Sequence, residues 1–526
     1  DPAGIVPPGT AAYEKRTVAF EIPEWDVTKC VQCYECSLVC PHAAIRPYLA
    51  TDAELEGAPA GYATKKANFK GLEGLNFRIQ VYPQDCVGCG SCADNCPAPG
   101  KALVMRPLAS QLDEQKQNLA FAQANVSIKD DLIPADSIPG TQLQQPLLEF
   151  SGCCGGCGET PHVKLLTQLF GDRLIMANAT GCSSIWGAYS PAMPYTVNRH
   201  GHGPAWGNSL FEDNGEYGYG IAKAVKVRRQ HLVDLATSVT QAAETPAEVK
   251  ALLEAWLAVR DDADAAYAAG QAAQDVLRSW VQGAGETAGS RGLLAQVREI
   301  LDYGAMFGKK SVWAVGGDGW AYDIGYGGLD EVLASGENLN VLVLDTEGYS
   351  NTGGEMSKAT QLGSVSGFAL DGKPTPKKNL GRMMMAYGYV YVAQICLGAN
   401  MQQAIDALRE AESYDGPSIV IALCPCISWG LKAGMGTSIR ASKEAVEAGY
   451  WPLFRFDPRL AQQGKDPLTV DCAAPNGSMK DFLAGQDRYA RLASRKPKLS
   501  SRLQSELAKD CDHEYQVLSR TVGVYR

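Results

Sequence analysis

Cys30-Val-Gln-Cys33-Tyr-Glu-Cys36-Ser-Leu-Val-Cys40-Pro41 decides the reading of the first part of the chain. Its spacing, C-x2-C-x2-C-x3-C-P, returns at Cys86-Val-Gly-Cys89-Gly-Ser-Cys92-Ala-Asp-Asn-Cys96-Pro97. Short loops of this spacing wrap a cubane iron–sulfur cluster, and in paired motifs the fourth cysteine crosses to the other cluster. The spacing therefore assigns Cys30, Cys33, Cys36 and Cys96 to one [4Fe-4S] cluster, and Cys86, Cys89, Cys92 and Cys40 to a second. The crossing brings the two clusters within electron-transfer reach. Zinc ribbons, the competing reading, use two C-x2-C hooks and not four cysteines in one run. Exposed clusters are oxygen-sensitive, so the motifs also predict a reducing compartment, the cytoplasm.

The remaining composition sets bounds. The chain has 526 residues, 45% hydrophobic and 20% charged, which is ordinary for a folded protein of several domains. A net charge of −10 argues against nucleic acid as the main partner. No apolar run reaches the roughly 18 residues of a membrane helix, and Ser418-Ile-Val-Ile-Ala-Leu-Cys424 is strand-sized. No charged start followed by an apolar core marks a signal peptide. The chain begins with Asp1, which fits a cleaved chain, a fragment or a separate subunit.

Eleven of the 17 cysteines lie in three groups, and the third is Ser151-Gly-Cys153-Cys154-Gly-Gly-Cys157-Gly-Glu159. A lone C-x2-C fits a redox dithiol, half a zinc site, or two ligands of a third cluster. Cys182 and the Cys424-Pro-Cys426 pair are candidates for the missing ligands. Cys396, Cys472 and Cys511 stand alone and read as small core residues. The organisation predicted is an extended segment 1–22, a two-cluster unit over 23–108 and a polar connector over 109–145. A loop insertion with a strand at Phe77–Val81 separates the two cysteine runs. From about 146, short apolar runs alternate with helical patterns, as buried parallel strands do. These are Arg173–Ala177, Ser311–Val315, Val341–Leu344, Tyr389–Val392 and Ser418–Ala422, with a helix from Met401. A helical insertion is expected over about 220–300, with Thr245-Pro246-Ala-Glu248 as a capping box. Lys226-Val-Arg228-Arg229 reads as a solvated helix face.

The strand ending at Val315 runs into Gly316-Gly317-Asp318-Gly319-Trp320, and the next into Asp345-Thr346-Glu347-Gly348-Tyr349-Ser350-Asn351. A glycine-rich loop at a helix start offers backbone N–H groups to phosphate. Asp318, the Thr346 hydroxyl and the Gly348 carbonyl offer hard oxygens for Mg²⁺, whose octahedron a diphosphate completes. Both loops follow strand carboxyl ends, where open parallel sheets bind ligands. GDG followed at this distance by Asn is the thiamine diphosphate signature.

Taken together, the residues resemble the pyruvate:ferredoxin (flavodoxin) oxidoreductase family over essentially the whole chain. The likeness is carried by Tyr13-Glu-Lys-Arg16, Cys40-Pro-His-Ala-Ala-Ile-Arg-Pro47, Ser151–Thr160, Gly203-Pro-Ala-Trp206, Asn208–Asn214, Gly317–Gly328 and Tyr349-Ser-Asn-Thr-Gly-Gly354. It implies a bacterial ferredoxin-like α+β domain with two [4Fe-4S] clusters. A mostly parallel α/β thiamine diphosphate-binding domain would follow over 109–526. It implies a third cluster on Cys154, Cys157, Cys182 and Cys426, with Cys153 and Cys424 as non-ligands. Thiamine diphosphate would contact Glu159, Cys182, Gly317, Asp318, Gly319, Trp320 and the loop Thr346, Glu347, Gly348, Tyr349, Ser350 and Asn351. Asn351 and Glu159 would be catalytic, Asn351 beside the reacting carbon. Asp318, Thr346 and Gly348 would hold Mg²⁺. His200 and His202 would have loop or interface roles.

The implied reaction converts pyruvate and CoA to acetyl-CoA and CO₂, exporting electrons to ferredoxin or flavodoxin. Two alternatives are a related 2-oxo acid oxidoreductase and an electron-transfer module with a vestigial thiamine site. The family carries further chain upstream, with a glutamate for the aminopyrimidine, an arginine for the substrate carboxylate and much of the CoA site. The resemblance therefore implies a second polypeptide bearing those domains, and an oligomer.

Overall fold

The computed structural model describes residues 6–210, 212–283 and 291–524. The cysteine-rich part rests on β1 (Glu21–Trp25) paired antiparallel with β5 (Leu103–Pro107). Each cysteine run ends in a short helical turn, Glu35–Leu38 or Ser91–Asn95. Each turn follows a left-handed residue, Tyr34 with φ 64° and Gly90 with φ 83°. Glycine adopts this conformation freely. Tyr34 adopts it while packed edge-on against Phe77, ring centroids 5.2 Å apart. Between the runs, β2 (Ile45–Ala50), β3 (Lys65–Lys66) and β4 (Asn76–Val81) form an antiparallel sheet of order β2-β4-β3. The strand expected at 77–81 is therefore present, and the stretch read as loop contributes β3.

The larger part is an eight-stranded sheet among the described residues. Its strands are β6 (Leu174–Asn178), β7 (Ala205–Asn208), β8 (Ser311–Gly317), β9 (Asn340–Asp345), β10 (Tyr391–Ile395), β11 (Ser418–Leu423), β12 (Phe454–Phe456) and β13 (Leu468–Val470). The order is β13-β12-β10-β11-β9-β8-β6-β7. Neighbours from β10 to β7 run parallel, and β12 and β13 close the other edge antiparallel. The central strands β9 and β11 are buried along their whole length, which explains their continuous apolar sequence. The fold class is thus α/β with a mostly parallel sheet, preceded by a small α+β unit.

Several expectations differ from the structure in instructive ways. Strand β10 begins at Tyr391, two residues late, because Gly388 turns the chain at φ 72° and Tyr389 is exposed, its hydroxyl donating to Ala334 O at 2.8 Å. The connector over 109–145 contains a helix, Leu112–Asn125. Its buried residues are Gln115, Asn118 and Ala122, and Gln80 Nε2 donates to Gln115 Oε1 at 3.2 Å. A helix that buries amides shows no apolar stripe, so periodicity misses it. Of the segment 1–22, residues 1–5 lie outside the described residues, and Thr10–Tyr13 forms a 3-10 turn. That turn is pinned to the larger part: Gly9 N–H donates to Tyr195 O at 2.7 Å and Ala11 N–H to Met193 O at 3.0 Å.

The helical insertion comprises Asn214–Gln241, Ala247–Val259, Ala263–Gly283 and Arg291–Asp302, with 284–290 outside the described residues. It starts six residues earlier than expected. Thr245 does not cap the second helix. Its hydroxyl donates to Val239 O at 2.6 Å, closing the preceding helix, while Pro246 takes the N-cap position. Arg229 is not simply solvated either; its guanidinium donates to Met306 O and Gly308 O at 2.7 Å, and to Arg260 O at 2.6 Å. Trp256 is the centre of this unit, packed edge-on to Phe307 at 4.7 Å and donating to its carbonyl at 3.0 Å. Trp256→Ala is expected to destabilise the helical unit by about 3–5 kcal/mol. Chemical denaturation followed by circular dichroism measures that loss, and cluster absorbance measures whether the distant cysteine sites stay intact, as the separate cores require.

Candidate cofactor site

Four adjacent parallel strands, β11, β9, β8 and β6, bring their carboxyl ends to one edge of the sheet. They deliver Cys424–Cys426, Asp345–Asn351, Gly317–Trp320 and Ala179–Cys182 side by side. The third cysteine loop joins them at the start of the helix Thr160–Phe170. There Gly158 N–H donates to Pro425 O at 3.2 Å. A Cβ on Gly158 would lie 2.6 Å from Pro425 N, so only glycine permits this approach.

Asp318 is fully buried, and one of its oxygens, Oδ1, accepts from both Thr346 N–H and Thr346 Oγ1 at 3.0 Å. Thr346 Oγ1 also lies 3.1 Å from Gly348 O. Thr346 Oγ1 is thus within hydrogen-bond reach of the other two oxygens expected for Mg²⁺. Ser357 Oγ donates to Asp318 Oδ2 at 2.6 Å and orients the carboxylate. Burial and the neighbouring Asp345 hold the Asp318 carboxyl above the usual carboxylate range. The nearest cations are already engaged. Lys377 Nζ is 2.8 Å from Asp345 and 3.3 Å from Glu347, and Arg488 is 2.7 Å from Glu347. A buried carboxylate beside a hydroxyl and a carbonyl, facing neutral donors, is the chemistry of a hard-cation site, and these residues fit Mg²⁺. Gly319 opens the turn that follows; a Cβ there would strike the Tyr349 ring at 2.5 Å.

The cysteines of the two runs line two separate cavities. Cys30, Cys33, Cys36 and Cys96 line one with Trp25, Tyr34, Phe77 and Leu103. Cys40, Cys86, Cys89 and Cys92 line the other with Pro23, Pro41 and Ile45. This is the crossed grouping expected from spacing. Among the described residues no three His, Cys, Asp or Glu side chains converge on a point suited to a single ion. Cys154, Cys157, Cys182 and Cys426 form the third gathering. Cys182 feels the charges of Cys426 and Cys157, and Cys154 feels that of Cys157. Burial pushes the thiols of Cys33 and Cys86 up to about 12 and that of Cys426 up to about 11. Such thiols ionise when a metal neutralises them. Backbone N–H groups are placed to support the resulting thiolates: Gly88 on Cys86 at 3.4 Å, Ala102 on Cys96 at 3.4 Å, and Ser428 on Cys426 at 3.5 Å. The donor sets fit iron–sulfur clusters. The two cysteines expected to be non-ligands lie close by: Cys153 Sγ is 3.2 Å from His42 Nε2 and also bonds the Cys157 thiol, and Cys424 Sγ, 3.3 Å from Ala422 O, feels the charge of Cys157.

Glu159 is buried beside the third gathering and accepts a hydrogen bond from Trp186 Nε1 at 2.8 Å. Burial pushes its carboxyl up to about 7, against the pull of that bond. Ser350 Oγ lies 3.2 Å from Cys182 Sγ. Asn351 is exposed on the turn that follows. Two expected cofactor contacts sit differently. Trp320 is buried, its ring packed over Gly316 and Gly325. Glu347, at φ 64°, turns its carboxylate inward to Arg488, Lys377 and Tyr450 Oη, 2.6 Å away. Its role is therefore to anchor the loop. His200 and His202 lie exposed in a surface loop, with His202 edge-on to Tyr267 of the helical insertion. Ser357, Lys377, Tyr450 and Arg488 escaped the sequence reading because their partners lie 30 to 141 positions away.

Arg488→Leu strands the Glu347 carboxylate beside a single lysine. The expected cost is about 3–5 kcal/mol, because breaking a buried pair leaves an uncompensated charge. Denaturant titration checks the loss, and Arg488→Lys is expected to recover part of it.

Comparison with known proteins agrees with this architecture. The model for a 4Fe-4S dicluster domain matches residues 29–99. That for the C-terminal TPP binding domain of thiamine pyrophosphate enzymes matches residues 300–422. The pyruvate:ferredoxin oxidoreductase of Moorella thermoacetica is 55% identical over 95% of this chain and 42% of its own length. The pyruvate-flavodoxin oxidoreductase of Klebsiella pneumoniae is 46% identical over 99% and 43%. The mitochondrial pyruvate dehydrogenase [NADP(+)] of Euglena gracilis is 48% identical over 96% and 27%. The chain thus spans less than half the length of the curated relatives it matches, and over that span it is similar to the matching part of pyruvate:ferredoxin and pyruvate-flavodoxin oxidoreductases.

Proposed function

We propose that this chain forms the thiamine diphosphate-binding and electron-exporting part of an enzyme that oxidatively decarboxylates pyruvate with CoA, yielding acetyl-CoA and CO₂. The observation that carries this reading is the placing of the Asp318–Thr346–Gly348 oxygens and the Cys154–Cys157–Cys182–Cys426 gathering at one sheet edge. When bound, thiamine diphosphate supplies the carbanion that adds to the keto carbon and the sink for electrons as CO₂ leaves, and the clusters carry those electrons away singly.

The chain's own residues do the positioning. Asp318, Thr346 and the Gly348 carbonyl would hold Mg²⁺, with Ser357 fixing the Asp318 carboxylate. Backbone N–H groups at Gly319 and Trp320, opening the helical turn Gly319–Ile324, would donate to the diphosphate. Glu159, poised near neutrality by burial, can hold or release a proton beside the cofactor. Ser350 supports the Cys182 thiolate. Asn351, exposed on the turn after Ser350, would lie on the substrate side of the cofactor.

The missing wall of the site belongs to a polypeptide carrying the other domains of the relatives. Exposed Ile185, Leu210, Ile324, Phe368 and Ile427 follow the strand ends around the cofactor loops and support that reading. The relatives differ by name in electron acceptor, and ferredoxin or flavodoxin, named for most of them, is the acceptor assigned to this chain. The oxygen sensitivity of exposed clusters supports a reducing compartment, the cytoplasm, as its location. A purely electron-carrying role is disfavoured by the intact Asp318–Thr346 pair.

The test is anaerobic reduction of ferredoxin and flavodoxin by the assembled enzyme, with pyruvate and a panel of other 2-oxo acids in the presence of CoA. Pyruvate is expected to be the preferred substrate; preference for another acid would replace it. Asp318→Asn is expected to weaken Mg²⁺-thiamine diphosphate binding by at least about a hundredfold while cluster absorbance stays unchanged. Unaltered cofactor binding in that variant would refute the assigned metal site.

A further inference from the structure

We propose that Lys164 is a counter-ion shared by the two clusters of the small cysteine-rich unit, a buried ammonium that favours their reduced states. The inference rests on the two-cluster reading of residues 30–40 and 86–96.

Lys164 belongs to the larger part, on the helix Thr160–Phe170, and is 2% exposed. Its side chain reaches into the small unit. There Nζ donates to Ser37 O and, at 3.0 Å, to Cys40 O. Ser37 follows Cys36, which lines the first cavity, and Cys40 lines the second. One ammonium thus bonds the short turn that supplies a ligand to each cavity.

No carboxylate answers this charge. The charges that act on Lys164 are those of Cys40, Arg46 and Cys36. Burial pulls its ammonium down to about 8, and the two cysteines pull it back. The polar neighbours are neutral: Ser37 Oγ donates to Gln142 Oε1 at 3.0 Å, and Gln142 Nε2 to Gln168 Oε1 at 3.1 Å. Nearby cations have acids of their own. Arg46 bonds Glu149, and Lys15 Nζ is 2.6 Å from Asp85. Lys373, the other buried lysine among the described residues, also bonds carbonyls, but Asp323, Glu347 and Asp345 act on it.

Two carbonyls solvate an ammonium without neutralising it, and burying an unpaired charge is costly. A methionine would fill the same space without that cost. A neutral donor would serve if the role were only to tie the turn to the helix. The compensating charge has to come from the cysteines. Four thiolates outweigh the iron–sulfide core they bind, so each ligated cluster is an anion, and each added electron makes it more negative. A cation beside Cys36 and Cys40 attracts both clusters, and attracts their reduced forms more strongly. Net charge is one of the terms that set cluster potential. Lys164 touches no reacting atom and is a positioning residue.

The test is an EPR-monitored redox titration of the anaerobic assembled enzyme, with iron and sulfide assayed on each sample. Lys164→Met removes the charge and keeps the length. It is expected to lower the potentials of both small-unit clusters by about a tenfold change in each reduction equilibrium, which is about 59 mV for one electron. The third cluster is expected to move less, because its cysteines are not among the groups whose charge acts on Lys164. Lys164→Arg keeps the charge and is expected to hold both potentials near those of the wild type. Unchanged potentials in cluster-replete Lys164→Met protein overturn the proposal. So does an equal shift in Lys164→Arg, the sign of altered packing, and so does a shift confined to one of the two clusters. If Lys164→Met does not retain iron, Lys164→Gln, which keeps a neutral donor, is read by the same criteria. Iron retained in Lys164→Arg alone supports the counter-ion, and iron lost from all three variants overturns it. Wild-type protein without the two small-unit clusters would instead remove the reading on which the proposal rests.

Discussion

Thr346 donates both its backbone N–H and its hydroxyl to one oxygen of Asp318. Everything at the sheet edge depends on this pairing. It is possible because β8 and β9 run parallel and in register, Gly317 beside Leu344, so that the loops leaving them start side by side. The same register places a carboxylate where no water reaches it. A buried carboxylate without a partner cation is costly. The loop's other acids already hold Lys377 and Arg488, so the remaining unmet charge marks where a divalent ion belongs.

The cysteine cavities obey the same logic with softer donors. Burial opposes ionisation of these thiols, backbone N–H groups aimed at several of them favour it, and a bound metal would tip the balance to thiolate. Cluster assembly and folding of the small cysteine-rich unit are expected to be coupled, since Cys36, Cys40 and Cys92 lie within its buried core. The larger part has an apolar core around the sheet and needs no such help. The two parts are held together at the point where function requires closeness. Arg440 meets Asp94 at 3.1 Å beside the helical turn that carries Cys92.

Much of this was legible in the sequence, for a physical reason. Cluster loops and GDG turns are local, so Cys30–Cys40, Cys86–Cys96 and Gly317–Trp320 carry their geometry within a dozen residues. Buried parallel strands are also local, and β8, β9 and β11 appear as apolar runs. What the sequence concealed is non-local or polar. Arg488 reaches Glu347 across 141 positions. The helix Leu112–Asn125 hides because its inner face is Gln115 and Asn118. Thr245 has the signature of a helix cap yet bonds backward to Val239, because the turn before it competes for the same hydroxyl. Glu347 lies in the middle of a cofactor loop, and only its inward turn at φ 64° shows that it serves the fold and not the ligand.

The central claim is that one chain holds three clusters and a thiamine diphosphate site at the third. Anaerobic purification followed by iron, acid-labile sulfide and thiamine diphosphate assays on the same sample tests it most directly. The account predicts iron and sulfide for three [4Fe-4S] clusters per copy of these residues, with thiamine diphosphate and magnesium retained at the sheet edge in the assembled enzyme. Iron for two clusters only, with no thiamine diphosphate bound, would contradict it and leave a ferredoxin-like electron carrier.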